Sequence, residues 1–338
     1  MVLHNAMRKT SEVETVRLPF HKLLPFVSLL VLIVALSVST PHFLTWTNIS
    51  NVIRQHAQII IMAVGMTFVI VSRGIDLSVG SMMALAGICG TLLMTRGVPI
   101  LLAIFGGCLA GLACGLLNGA FISRLKISPF IATLGTMQVF RGTVLQITKG
   151  VTVDEGIPRS FGILRNGNLS DLIPVGFLDL IPIPLVLILL ISVLASLTLR
   201  YTRLGRYSYA IGSNVEAAHH SGIKVGTYIV LIYAVCGFLA GLAGMIEFSG
   251  LVSGPPTAGG GYELRVIAAV VIGGGSLMGG EGSVSGTIAG ALFMAILLNA
   301  CVHLHISDYI QQIVIGALIV VAVAFDQLRK RKMEGGGV

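Results

Sequence analysis

Apolar positions in this chain fall in long unbroken runs separated by short polar stretches. They do not alternate as in strands, and they do not mark a single face as in a surface helix. Stretches such as "IIIMAVGMTFVIV" and "LVLILLISVLASL" have no polar side to turn towards water. A run of about 20 such residues suits an α-helix that crosses a bilayer. The pattern predicts ten crossings, at 24–40, 57–72, 77–94, 99–123, 128–147, 182–199, 227–247, 264–280, 284–303 and 307–325. The second and third are short, which predicts a broken or half-crossing helix there. Leu24 to Val38 reads as a retained first span, because no small-residue cleavage site follows it. The fold class is therefore an all-α polytopic membrane protein. A cytoplasmic segment, 1–23, precedes the transmembrane domain, 24–326, and a basic tail, 327–338, follows it.

Two polar segments interrupt the runs and are long enough to have structure. Thr148 to Ile181 is rich in Gly, Pro and Asp and reads as an outward docking surface or a connector. Arg200 to Gly226 carries the short Ala-rich segment "VEAAHH", which Asn214 or Ser213 is placed to cap and which Gly222 ends. Five spans precede the outer segment and five follow it. An odd number per half inverts the second half in the membrane, so the count predicts an inverted five-plus-five repeat. Gly-rich breaks follow the second span of each half: "SRGIDLSVGS" (72–81) and "SGLVSGPPTAGGGYE" (249–263). Paired interruptions of this kind point to a transport pathway.

The first break places Arg73 and Asp76 in one of the most apolar regions of the chain. A charge at membrane depth costs about 2.5–3.5 kcal/mol on insertion scales. One reading makes Asp76 the N-cap of the next helix, with Gly74 supplying an unusual backbone conformation and Arg73 anchoring the interface. The other makes Gly74, Asp76, Ser78 and Gly80 part of a pathway or gate. The two are compatible.

Composition agrees with the pattern. Only 11% of the 338 residues are charged, against roughly 25% in soluble domains, and mean hydropathy is +0.93. The net charge of +8 is topological. With both ends in the cytoplasm, the inner segments hold 15 of the 22 Lys and Arg residues, as the positive-inside rule requires. The outward ones are Arg54, Arg96, Arg141, Lys149, Arg159, Arg165 and Arg265. No basic, aromatic-rich surface suggests nucleic acid. The five cysteines lie in apolar segments without a CxxC pair, so neither a disulfide frame nor a metal site is expected. No GxxxxGK[ST] occurs, and "GGGSLMGGEGS" lacks the phosphate-reaching Lys, so nucleotide hydrolysis belongs to another polypeptide.

"GIDLSVGS", "GRYSYAIGSNVEAAHHSGI" and "GYELRVIAAVVIGGGSLMGGEGS" together resemble three motifs of ABC importer permeases, in the branch for ribose, xylose, arabinose, galactosides and autoinducer-2. The resemblance runs in order from about Val52 to Asp326. It implies a permease subunit of the bacterial inner membrane, paired with a second permease copy in a homodimer or heterodimer. A cytoplasmic ATPase would bind ATP and Mg, leaving no cofactor on this chain. A periplasmic or lipid-anchored binding protein would supply the solute. Gly205, Arg206, Asn214, Glu216, Ala217, Ala218 and Gly222 then match the family's ATPase-coupling loop. Two departures stand out: Arg265 replaces a common acidic residue, and His219–His220 replaces a usual "RL".

The membrane-buried polar residues Asn118, Thr133, Thr136, Gln138 and Asn299 are candidates for a pathway, although interhelical hydrogen bonding explains them at least as well. A monosaccharide such as ribose is the expected solute. The competing class is an ion-coupled secondary transporter, which needs ionisable groups deep in the bundle; here nearly all charges fall at span ends.

Overall fold

A computed structural model describes residues 20–39 and 43–334. Thirteen α-helices and no named strand occur among the described residues. Ten helices correspond to the ten expected crossings: α1 (Phe20–Ser39), α2 (Trp46–Val71), α3 (Val79–Thr95), α4 (Ile100–Arg124), α5 (Pro129–Thr148), α7 (Ile183–Tyr201), α10 (Val225–Leu251), α11 (Tyr262–Ile272), α12 (Val284–His303) and α13 (Asp308–Glu334). The others are α6 (Ile163–Asn166) in the outer segment and α8 (Arg203–Ser213) and α9 (Val215–His220) in the expected cytoplasmic one. Six of the ten are each long and apolar enough to cross a membrane unaided. Residues 1–19 of the expected N-terminal segment and 335–338 of the tail lie outside the described residues.

Two spans differ from expectation. The second is long, not short: α2 has 26 residues and begins at Trp46, eleven residues before the apolar run. Its polar first turns are helical because the outer segment satisfies them, as Arg54 shows below. The eighth is the short one. Helix α11 has 11 residues and stops at Ile272, where "GGG" begins. At 1.5 Å per residue it reaches about 17 Å, half a hydrocarbon core.

Helix α10 lies in the centre, against α2, α3 and α4. Its approach to α4 is set by glycines at four-residue intervals. A Cβ on Gly111 or Gly115 would fall on the α10 backbone at Gly237 or Tyr233, and one on Gly119 would lie 2.6 Å from the Val230 Cα. Small residues at this spacing let helix backbones touch where lipid offers no hydrophobic driving force.

Helix pairings recur between the two halves. Helix α10 packs on α3 and α4 as α2 packs on α11 and α12, and α3 meets α5 as α11 meets α13. Helices α1 and α7 depart from this relation, since both lie against α12. The two long helices also close alike. At the end of α2, Arg73 N donates to Ile70 O and Gly74 N to Val69 O; at the end of α10, Val252 N donates to Ser249 O and Ser253 N to Phe248 O. This is the Schellman closure. Its left-handed position is held by Arg73 (φ 66°) and Val252 (φ 49°), not by glycine.

Candidate translocation and coupling site

The two breaks meet inside the bundle. Gly80, in the first turn of α3, faces Gly259, two residues before the N-cap of α11, so closely that a Cβ on either would strike the other's carbonyl oxygen. A Cβ on Gly80 would also lie 2.9 Å from Glu263 Oε2. The N-termini of the two short helices therefore converge on one point, each bringing the positive end of its dipole.

Three helices hold the first break. Asp76 and Ser78 have no exposed surface. Asp76 Oδ1 accepts from Ser78 N (2.9 Å) and Ser78 Oγ (2.6 Å). Asn118 on α4 donates to Ser78 Oγ at 2.8 Å and reaches Asp76 Oδ2 at 3.5 Å. The Ile75 carbonyl accepts from Tyr233 on α10 and Thr133 on α5, both at 3.2 Å. This corrects the expected capping role. Helix α3 begins at Val79 with Ser78 in the N-cap position, and Asp76 closes a turn ahead of it. The unusual backbone conformation sits at Arg73, and Gly74 is needed for space, since a Cβ there would lie 2.7 Å from the Tyr233 hydroxyl.

The other polar candidates separate. Thr136 is buried, and its hydroxyl donates to the Thr133 carbonyl of its own helix. Gln138 is exposed on α5 and meets none of the break residues among the described residues. Asn299 on α12 exchanges amide hydrogen bonds of 3.1 and 3.2 Å with Asn48 on α2, so it joins helix ends.

The α8–α9 segment is built as its residues suggest. Asn214 Oδ1 accepts from Ala217 N at 2.9 Å and caps α9, whose first turn carries Glu216. Gly222, at φ 82°, ends it with Gly222 N donating to His219 O and Ile223 N to Ala218 O. The two alanines diverge: Ala217 is exposed, whereas Ala218 is 4% exposed and packs inward. The outward face is Val215, Glu216, Ala217, His219 and His220. Gly205 lies against the Leu199 backbone, and Arg206 is exposed.

Residues not singled out from sequence carry the link between these parts. A Cβ on Gly212, in the last turn of α8, would fall on the Val71 carbonyl oxygen at the end of α2 and lie 2.6 Å from Gly280 N. Gly280 N itself donates to Val71 O at 2.9 Å. A Cβ on Gly279 would lie 3.0 Å from Gly212 Cα and 2.7 Å from Arg73 Cβ. Tyr209 donates to Gly282 O at 2.7 Å; burial raises its phenol above the usual range, so it stays a donor near neutral pH. The end of α8 is thus wedged between the end of α2 and the loop after α11. A glycine inside a helical stretch was the available signal for Gly212.

At the other end, the outer segment is tied to the bundle. Arg54 on α2 donates to the carbonyls of Arg165 and Gly167 and to Asn168 Oδ1. Arg165 forms a 3.0 Å ion pair with Glu247 on α10, which also accepts from Tyr262. Arg265 stacks over the Tyr262 ring. Val153 and Gly254 exchange backbone hydrogen bonds, and Arg141 donates to Pro256 O, so this segment and α5 brace the second break.

The family model for the permease component of branched-chain amino acid transport systems matches residues 48–323. The chain is 43% identical over 301 residues to the ribose import permease protein RbsC of Haemophilus influenzae, covering 89% of this chain and 91% of that one. It is 42% identical over 325 residues to RbsC of Bacillus subtilis, covering 94% and 98%. To the xylose transport system permease protein XylH of Escherichia coli it is 36% identical, covering 86% and 89%. No solved structure matches. A chain of membrane helices with paired, interlocking breaks, matched over most of its length by these proteins, belongs to this permease family, in its monosaccharide ABC permease branch.

Proposed function

We propose that this chain forms the membrane pathway of an ATP-driven ribose importer of the bacterial inner membrane. A binding protein delivers the sugar at the outer segment. A separate ATPase, carrying ATP and Mg, docks on the outward face of α9, and a second permease copy completes the core. Both termini face the cytoplasm. Ribose is favoured over other sugars because identity to ribose permeases (43% and 42%) exceeds that to the D-allose (37%) and xylose (36%) permeases of Escherichia coli. Among the candidate residues, Gly74, Asp76, Ser78, Gly80, Asn118 and Thr133 form the gate, while Asn299 and Thr136 support packing.

The observation that carries the reading is the Gly212 wedge. A displacement of α8–α9 cannot leave the end of α2 or the 279–282 loop where they are, because backbone touches backbone. Packed interfaces of this kind shift between discrete arrangements, so force on α9 reaches the end of α2, where the first break begins, and the loop after α11 together.

The test is reconstitution of the chain with its ATPase and binding protein in liposomes. Labelled ribose uptake should require ATP, survive a proton ionophore, and yield to unlabelled ribose before xylose, with leucine inert. Uptake driven by an ion gradient without ATP would overturn the reading.

A further inference from the structure

Helices α7 and α12 run side by side and leave two hollows along one seam. The first is a cavity of about 740 Å³ where α7 ends, α8 begins and α12 starts; Ser196, Arg200, Arg206, Tyr209, Ser283 and Ser285 line it. The second is a groove of about 320 Å³ farther along the same helices, where α2 forms its floor with Ile49, Val52, Ile53 and Ile60 between Ile188 and Leu189 of α7 and Ile288 and Leu292 of α12. From Ser196 back to Leu189 is seven residues, or about 10 Å along the helix. Buried Ser192, whose hydroxyl has no partner among the described residues, lies on α7 between them.

The chemistry of the hollows differs as the two ends of a phospholipid differ. Arg200 stacks on Tyr201, with its guanidinium carbon 5.2 Å from the ring centroid, and Arg206 donates one bond to the Tyr201 carbonyl at 3.1 Å. Neither has a carboxylate partner among the described residues. Glu281 lines a neighbouring cavity that shares Tyr209, Ser283 and Ser285, but not this one. The first turn of α12, capped by Ser283, adds its positive end. Two guanidinium groups, hydroxyl donors and a helix N-terminus suit a phosphodiester. The groove is walled almost wholly by aliphatic side chains of three apolar helices, with Phe43 and Asn48 at its far end. Basic pockets between membrane helices on the cytoplasmic side take anionic head groups.

We propose that the α7–α12 seam is a binding site for one anionic phospholipid, its phosphate in the Arg200–Arg206 cavity and an acyl chain in the groove. The bound lipid fixes the junction of α7 and α8, from which the coupling segment starts. The site rests on the reading that α7 ends at the membrane surface, and is independent of which solute is carried.

The test is native mass spectrometry of the purified full chain with palmitoyl-oleoyl phosphatidylglycerol or the matching phosphatidylcholine. One phosphatidylglycerol should be retained with a preference of about thirtyfold, from about fivefold per arginine near an anionic head group. The Arg200→Gln/Arg206→Gln variant should fall to parity. Ile288→Trp, which fills the groove and leaves both arginines, should lose the adduct with helical circular dichroism preserved. Equal retention of the two lipids, or full retention in both variants, would overturn the proposal. So would displacement of the lipid by millimolar inorganic phosphate alone, which would make the cavity a free-anion site. Loss of ATPase co-purification in the arginine variant with phosphatidylglycerol retention unchanged would make the pair a protein contact and also overturn it.

Discussion

Asp76 shows how a buried carboxyl is accommodated with no salt-bridge partner among the described residues. Its Oδ1 accepts two bonds from Ser78, and Asn118 and Tyr233 fix the turn from neighbouring helices. Replacing it with Ala strands the Ser78 amide and hydroxyl in a dry interior, an expected loss of about 1–3 kcal/mol. Asn keeps an acceptor at the same place and should cost less. Thermal unfolding in detergent should rank wild type, Asp76→Asn and Asp76→Ala in that order, with uptake competition among sugars unchanged for Asn. An altered sugar preference with normal stability would make Asp76 a selectivity residue. The sequence announced this site by its cost: an Asp among apolar residues needs a reason. It could not reveal that Asn118, 42 residues away, completes the site, because that pairing depends on how α4 packs. Gln138 shows the converse, a polar residue in an apolar run that is exposed.

Elements were legible where composition alone sets them. The bounds of α4, α7 and α12 lie within two residues of the apolar runs. The failures have a common cause, long-range satisfaction of polar groups. Helix α2 continues through "NVIRQHAQ" because outer-segment carbonyls meet Arg54, and α11 ends early at Gly273, which packs backbone to backbone on Gly286. Helix α9 was predictable because its cap and its stop are local. Gly222 has open space around it, so Gly222→Val strains only the backbone, by about 1–2 kcal/mol. Insertion should persist while ATPase co-purification falls; an unchanged complex would mean that the motor docks elsewhere. The α4–α10 contact makes the opposite prediction. Gly111→Val drives a side chain into the α10 backbone and should lower the melting temperature clearly, whereas Gly135→Ala, with nothing within 4 Å, should not. Equal effects would refute the close approach.

For the molecule as a whole, four of the seven basic residues that break the positive-inside pattern have protein partners. Arg54, Arg141 and Arg165 donate to carbonyls or Glu247, and Arg265 lies over Tyr262. Their positions are set by packing, so they do not weigh against two cytoplasmic termini. Reporter fusions at Gly156 and Val338 should report opposite sides; agreement between them would refute the topology. Span parity and the paired breaks predicted an inverted repeat, and the contacts of α2 and α10 recur between the two halves. What parity could not disclose is that the end of α2, where the first break begins, and the loop after α11 are both reached from the end of α8. That is the central claim, and Gly212→Val tests it most directly. In the reconstituted importer the variant should bind its ATPase and hydrolyse ATP while ribose uptake falls to background. Wild-type uptake by Gly212→Val would contradict it, because force could not then pass through the α8 wedge.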